Sequence, residues 1–118
     1  MPHSLPEQGI LLRIFIGDSD QYGKTPLYEA IVLKARELRL AGATVFKGIM
    51  GFGKNSRLRA AKFVELSPDL PVVVEIIDTE EKINAFLPFL DEVVTNGLVT
   101  LEAVQVVKYV GETPQEKG

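Results

Sequence analysis

The segment ILLRIFI, residues 10–16, decides the fold. It is interrupted only by Arg13 and has the length of one β-strand. A second segment of this kind, VVVEII at 72–77, is rich in β-branched residues, which favour strands. Successive side chains of a strand point to opposite faces, so both segments place apolar groups on both faces of a sheet. Together they predict the centre of a sheet that is apolar on both sides.

A first helix is predicted between these two strands. Thr25 and Pro26 indicate its start, with a capping hydroxyl followed by proline at the first helical position. Gly42 indicates its end. The apolar residues of this segment share one helical face: Leu27, Ala30, Ile31, Ala35 and Leu38.

A second helix follows the strand at 72–77. It is predicted to begin at Asp78 or Thr79 and to end at Asn96-Gly97. Pro88 lies inside it and predicts a kink or a division into two. Its predicted buried residues are Ile83, Phe86, Leu87, Leu90 and Val94.

Two further strands are predicted at 43–50 and 103–110. An extended segment at 62–66 is read either as a short strand that leads into 72–77 or as part of one bent strand. The order is βαββαβ, an α+β ferredoxin-like arrangement of an antiparallel sheet with two helices on one face. We predict one domain over residues 10–110, an amino-terminal tail over 1–9 and a carboxy-terminal tail over 111–118.

The second face of this sheet needs a cover. Segments 10–12, 72–74 and 106–107 carry apolar residues on both sides, whereas the two helices cover one side only. Apolar surface left in water forgoes about 25 cal/mol per Å². We therefore expect another copy of the same sheet to cover this face, in a closed homo-oligomer.

Composition excludes several kinds of chemistry. The chain of 118 residues has no cysteine, which removes disulfides, thiolate catalysis and cysteine-ligated zinc. Its one histidine, His3, lies in the predicted tail, so a histidine triad is excluded. The carboxylates at 78–81 and 91–92 fit a helix start or a solvated helix face. The sequence thus indicates no enzyme.

The amino terminus lacks the basic start and apolar run of a signal peptide, and no run approaches the ~18 apolar residues of a membrane span. We expect a cytoplasmic protein with no membrane insertion. The net charge of −3 argues against general nucleic-acid binding. Between Glu37 and Glu65, however, there is no acidic residue, and six of the 13 basic residues lie there, which indicates a local anion site.

The segment from Gly48 to Arg59 is the main candidate for binding. Its glycines let backbone amides approach an anion closely, and its basic and amide side chains supply charge and hydrogen bonds. A solvated hairpin whose glycines serve only the turn is the alternative. The candidate ligand-binding residues are Gly48, Gly51, Phe52, Gly53, Lys54, Asn55, Ser56, Arg57 and Arg59, with Lys108 on the last strand.

The loop at 18–20 offers a second, weaker site. Asp18 and Asp20 are of the type that bind a hard cation, but the further ligands of a calcium loop are missing. A surface loop that caps the first helix is the favoured reading, so no metal is firmly implied.

Beyond these patterns, segments 41–45, 48–53 and 70–76 resemble the nitrogen-regulatory PII signalling proteins, from Leu11 to about Glu112. Segments 13–17, 26–30 and 48–53 resemble more specifically a bacterial and archaeal PII-like family of unassigned function. The resemblance implies a homotrimer with inward-facing sheets. It also implies an adenine-nucleotide site (ATP, ADP or AMP) between subunits, near the base of a flexible loop that contacts a target protein, a transporter or an enzyme.

The chain departs from the PII pattern at three places. The loop at 95–98 has no lysine, the last strand offers Lys108 in place of two arginines, and the loop at 51–59 has no tyrosine for nucleotidylation. A rearranged set of cations is therefore expected: Lys54, Arg57, Arg59 and Lys108. The alternatives are a divalent-cation-responsive trimer of the same fold and a small acyl-phosphate hydrolase. The hydrolase is disfavoured because the glycine-bearing loop follows the second strand and not the first.

Overall fold

The computed structural model describes residues 8–55, 58–60 and 69–111. Its centre is a four-stranded antiparallel sheet in the order β4-β7-β1-β8, which confirms the ferredoxin-like βαββαβ arrangement. Two small hairpins, β2 with β3 and β5 with β6, extend from it. The elements are β1 (Gln8–Gly17), β2 (Gln21–Tyr22), β3 (Thr25–Pro26), α1 (Leu27–Glu37), β4 (Ala43–Lys47), β5 (Met50–Gly51), β6 (Arg59–Ala60), β7 (Pro71–Asp78), α2 (Glu80–Val93) and β8 (Leu98–Gln105).

The core lies between the sheet and the two helices. Alternate residues of β1 and β7 point into it, as the two-residue period of a strand requires. The helices contribute one stripe each, so both helices lie on the same face of the sheet, as predicted. The buried cluster contains Leu12, Ile14, Ile16, Leu27, Ile31, Ala35, Val72, Val74, Ile76, Ile83, Phe86, Leu90 and Val93.

Both predicted ends of α1 are wrong. Pro26 is the amino-cap residue, no side chain caps the helix, and Thr25 belongs to β3. The helix ends at Glu37, well before Gly42, because Arg39 adopts a left-handed conformation with φ of 61°. The amides of residues 39 and 40 then bond back to the carbonyls of residues 36 and 35, each at 3.0 Å, which closes the helix end. Leu38 lies past this end and is exposed.

The predicted start of α2 is confirmed. The Thr79 hydroxyl accepts the amide of Lys82 at 3.2 Å, and the helix continues without division through Pro88. Asp78, which precedes the cap, is fully buried and accepts the amides of Ala41 at 2.8 Å and Thr79 at 2.6 Å. Asp78 therefore joins the start of α2 to the loop that follows α1. Neither helix has the length and hydropathy to cross a membrane within the described residues.

The last strand is displaced from its predicted position. β8 covers Leu98–Gln105 and not 103–110, and its pairing with β1 runs from Leu98 opposite Phe15 to Gln105 opposite Gln8. Residues 106–110 lie beyond the sheet, so Val106 and Val107 do not belong to its second face as predicted. The segment predicted at 62–66 lies outside the described residues.

The far face of the sheet, opposite the helices, consists of cross-strand rows. One row is apolar and contains Phe46, Val73, Phe15 and Leu98. The next row is polar and contains Thr44, Glu75, Arg13 and Thr100. Beyond it lies a mixed row, in which Leu11 has Ile77 on one side and Glu102 on the other.

Arg13 organises the polar row. Its guanidinium donates to Glu75 at 2.9 Å and to Glu102 at 3.0 Å, and the hydrogen bond to Glu75 is the main reason that its pKa is raised. The prediction of an apolar second face is thus correct for the row of Phe15, only in part correct for the row of Leu11, and wrong for the row of Arg13 between them.

Candidate functional site

A cleft of about 770 Å³ opens where β1 ends, β7 begins and the β5–β6 hairpin leaves the sheet. Residues from four separate segments line it, because the antiparallel pairing brings their ends to one edge. The lining residues are Phe15, Ile16, Gly17, Ser19, Asp20, Gly51, Phe52, Gly53, Lys54, Asn55, Arg59, Asp69, Pro71, Val72, Asn96, Gly97 and Leu98.

Six of the ten predicted ligand-binding residues meet in this cleft. They are Gly51, Phe52, Gly53, Lys54, Asn55 and Arg59. Ser56 and Arg57 lie outside the described residues. Gly48 and Lys108 are not in the lining of this cleft.

Gly48 and Gly51 have a packing role beneath the hairpin. The Gly48 amide donates to the Pro71 carbonyl at 2.7 Å, and a Cβ at position 48 would approach the proline ring to 2.9 Å. A Cβ on Gly51 would approach the same ring to 3.3 Å. These glycines let the hairpin leave the sheet close to Pro71, and thereby set the position of Phe52 and Gly53 at the mouth of the cleft.

Arg59 lies across the floor of the cleft in a specific contact. Its guanidinium pairs with the Asp69 carboxylate at 3.2 Å, and both side chains are mostly buried, with 21% and 11% exposed. The other Asp69 oxygen accepts the Ser19 amide at 2.7 Å. A Cβ on Gly17 would overlap the guanidinium, so the glycine makes room for it.

In the loop at 18–20, both carboxylates contact other groups of the same chain. Asp20 accepts the Gly17 amide at 2.9 Å, and Asp18 pairs with Lys47 at 3.2 Å. The Leu27 amide near the start of α1 bonds the Asp20 carbonyl at 2.8 Å, so the backbone of this loop, and not its side chains, meets the helix start. Among the described residues, no group of three histidine or acidic side chains could hold a metal ion.

Lys54 is the cleft cation with the greatest freedom to meet a ligand. It is exposed at the mouth and forms no ion pair with any residue in the described part of the chain. Arg59, in contrast, already has a carboxylate partner. Among the residues that the structure describes, the cleft therefore offers one positive charge without an ion pair, on Lys54, and a second one, on Arg59, that is paired with Asp69.

Sequence reasoning did not identify several residues that line the cleft. Asp69 lies just before β7, Phe15 was assigned only to the sheet, and Leu98 was assigned to the loop at 95–98. Asn96 and Gly97 were noted as a helix end, and the structure places them opposite the hairpin. Only the pairing of distant strands brings these residues together, and no local pattern carries that information.

Lys108 lies in a second groove, of about 690 Å³, beside the start of β4 and the segment that follows β8. The Tyr109 hydroxyl donates to the Ala41 carbonyl at 2.7 Å and holds this segment there. Within one chain, Lys108 therefore does not join the residues of the cleft.

Comparison with known proteins shows the family. Residues 9–106 match the model of the DUF190 family, described as "Uncharacterized ACR, COG1993". A UPF0166 protein of Aquifex aeolicus is 46% identical over 97 residues, which cover 82% of this chain and 91% of the relative. A UPF0166 protein of Methanocaldococcus jannaschii is 38% identical over 104 residues, covering 87% and 94%.

Solved structures with this fold include PII-like proteins. CPII from Thiomonas intermedia K12, a nitrogen regulatory PII-like protein bound to ADP, AMP and bicarbonate, superposes with a TM-score of 0.62 at 16% identity, covering 86% of this chain and 90% of CPII. The B. subtilis GlnK–ATP complex has a TM-score of 0.55 at 10% identity, covering 86% and 85%. At sequence identities this low, the similarity establishes the fold alone. It is the PII-like fold that the sequence predicted. The chain belongs to the DUF190 (UPF0166) family and has a PII-like fold.

Proposed function

We propose that this protein is a PII-like regulator that binds an adenine nucleotide in the cleft at the base of the 51–59 loop. In this proposal a homotrimer presents the loop to a target protein, a transporter or an enzyme, in the cytoplasm and without catalysis. The observation that carries the proposal is the cleft in which six predicted residues of the 51–59 segment face residues from three other segments, 15–20, 69–72 and 96–98.

One part of the cleft suits phosphate. Lys54 supplies an unpaired charge, and Gly51 and Gly53 leave the backbone accessible to a bound anion. Asn55 and Asn96 add amide donors. Together these charged, backbone and amide groups can donate hydrogen bonds to several oxygens of a phosphate chain from more than one side.

Another part suits a base. Phe52 at the mouth is 72% exposed, and Phe15 and Leu98 form an apolar wall. An aromatic ring that is exposed in the free protein provides a surface on which adenine can stack. The CPII and GlnK structures, which hold ADP, AMP or ATP, support this class of ligand.

The proposed trimer rests on the far face. Phe15 and Leu98 belong to its apolar row and also line the cleft, so a second copy packed on this face would add a wall to the cleft. Lys108 lies in the other groove of its own chain, and it can contribute to a cleft only from a neighbouring copy. The ligand site and the assembly are therefore proposed together.

Titration calorimetry with ATP, ADP, AMP and cyclic AMP tests the proposal. We expect at least one nucleotide to bind, and Lys54→Ala to weaken it about 10- to 100-fold, since a hydrogen bond to a charged group contributes about 1.5–3 kcal/mol. Arg36→Ala, which removes the same charge from the exposed side of α1, should leave affinity unchanged. No heat from any nucleotide with folded wild-type protein would refute the proposal.

A further inference from the structure

The Arg59–Asp69 ion pair lies inside the cleft, and the proposed function does not explain it. The guanidinium lies where an anionic ligand would meet it, yet a carboxylate of the same chain already holds it at 3.2 Å. Asp69 itself belongs to the lining of the cleft, so its negative charge faces any phosphate that enters. A site built only to attract an anion has no need of this carboxylate.

The environment of the pair makes it specific. Arg59 and Asp69 are both mostly buried, and Gly17 lacks the Cβ that would overlap the guanidinium. Asp69 also accepts the Ser19 amide at 2.7 Å, which connects the pair to the loop after β1. The contact thus joins β6, at the base of the 51–59 loop, to the segment before β7 and to the loop after β1.

We propose that Asp69 is an internal competitor for Arg59 and holds the site in a low-affinity form until an anionic ligand replaces it. The inference rests on the proposed function and adds its regulation. A phosphate group takes over the guanidinium, the Asp69–Arg59 contact opens, and β6 and the Ser19 loop are released from each other. Ligand binding is in this way coupled to the position of the 51–59 loop.

The competitor has two consequences that a purely structural ion pair would not have. Removal of its charge should strengthen ligand binding more than removal of an equal negative charge nearby. The contact should also change in wild-type protein whenever the cleft is filled.

Asp69→Asn is the sharpest variant. The asparagine oxygen can still accept the Ser19 amide, but the negative charge that holds Arg59 is gone. Asp18→Asn is the matched control, because it removes an equal charge from an ion pair in the adjacent loop, outside the lining of the cleft.

Calorimetry with ATP on the full chain gives the first readout. We expect Asp69→Asn to bind ATP about fivefold more tightly than wild type, which corresponds to about 1 kcal/mol. Asp18→Asn should change affinity less than twofold. Equal or weaker binding by Asp69→Asn, or equal strengthening by both variants, overturns the inference and leaves the proposed function intact. No binding by wild type or Asp69→Asn overturns both.

Nuclear magnetic resonance of wild-type protein gives a second readout that does not depend on the folding of a variant. The guanidinium N–H signals of Arg59 and the amide signal of Ser19 should shift together as ATP saturates the cleft, because Asp69 contacts the guanidinium Nη2 and the Ser19 amide. An unchanged Arg59 signal at saturation overturns the inference.

Discussion

The Gly48 amide donates to the Pro71 carbonyl at 2.7 Å, so the end of β4 and the start of β7 are joined beneath the binding loop. This contact leaves no room for a side chain at position 48, because a Cβ there would lie 2.9 Å from the proline ring. Gly48 therefore positions the loop, although it does not itself line the cleft.

Gly48→Ala should lower the free energy of unfolding by about 1–3 kcal/mol, since the rigid proline ring cannot move away from the added methyl group. Gly53→Ala is the control, because a Cβ there meets nothing within 4 Å. It should be neutral or stabilise by up to about 1 kcal/mol. Urea unfolding of both variants measures the difference, and equal stabilities would contradict the packing role.

Arg39→Gly should stabilise the protein by about 0.5–1 kcal/mol. Arg39 has a positive φ of 61°, which costs a residue with a Cβ about 1–2 kcal/mol, partly offset by the greater freedom of glycine in the unfolded chain. Arg36→Gly, inside α1, should instead destabilise by about 1 kcal/mol. Thermal unfolding should move in opposite directions for these two variants; a shift in the same direction would show that φ is not the cause.

Asp78→Ala should lower the free energy of unfolding by about 2–4 kcal/mol, since it removes the acceptor of the Ala41 and Thr79 amides at a fully buried position. Asp91→Ala, on the exposed side of α2, should stay within about 0.5 kcal/mol of wild type. Chemical denaturation provides the comparison. A small effect at Asp78 would mean that the loop after α1 is held in another way.

Leu98→Glu should dissociate the proposed trimer, because it places a charge in the apolar row of the far face. Leu33→Glu is a close control, since Leu33 is 50% exposed on α1 and Leu98 is 55% exposed on the sheet. Light scattering coupled to size-exclusion chromatography measures the mass. A monomeric wild type, or dissociation by Leu33→Glu alone, would move the interface away from the sheet.

Within the sheet, local sequence was sufficient to predict β1 and β7 but not β8. The β-branched residues of 106–107 favour a strand as strongly as those of 72–74. They nevertheless lie beyond β8, which ends at Gln105. The limits of an edge strand depend on its pairing with a strand that is distant in sequence, which a local pattern does not contain.

Within the site, composition identified the loop but not its surroundings. The glycines and cations of 48–59 indicated an anion site, and six of the predicted residues line one cleft. The partner of Arg59 is Asp69, ten positions further along the chain, and Lys108 lies in a different groove.

The sequence by itself determined the order of the main strands and helices, the start of α2 at Asp78 or Thr79 and three of its buried residues, Ile83, Phe86 and Leu90, because each depends on side chains a few positions apart. It missed the buried Val93, and the predicted Leu87 and Val94 are only half-buried. Only the tertiary structure decided which charges meet: Arg13 with Glu75 and Glu102 on the far face, and Arg59 with Asp69 in the cleft. These contacts follow from strand register and from the approach of loops at the sheet edge. A shift of one residue in register would turn the same side chains to the opposite face.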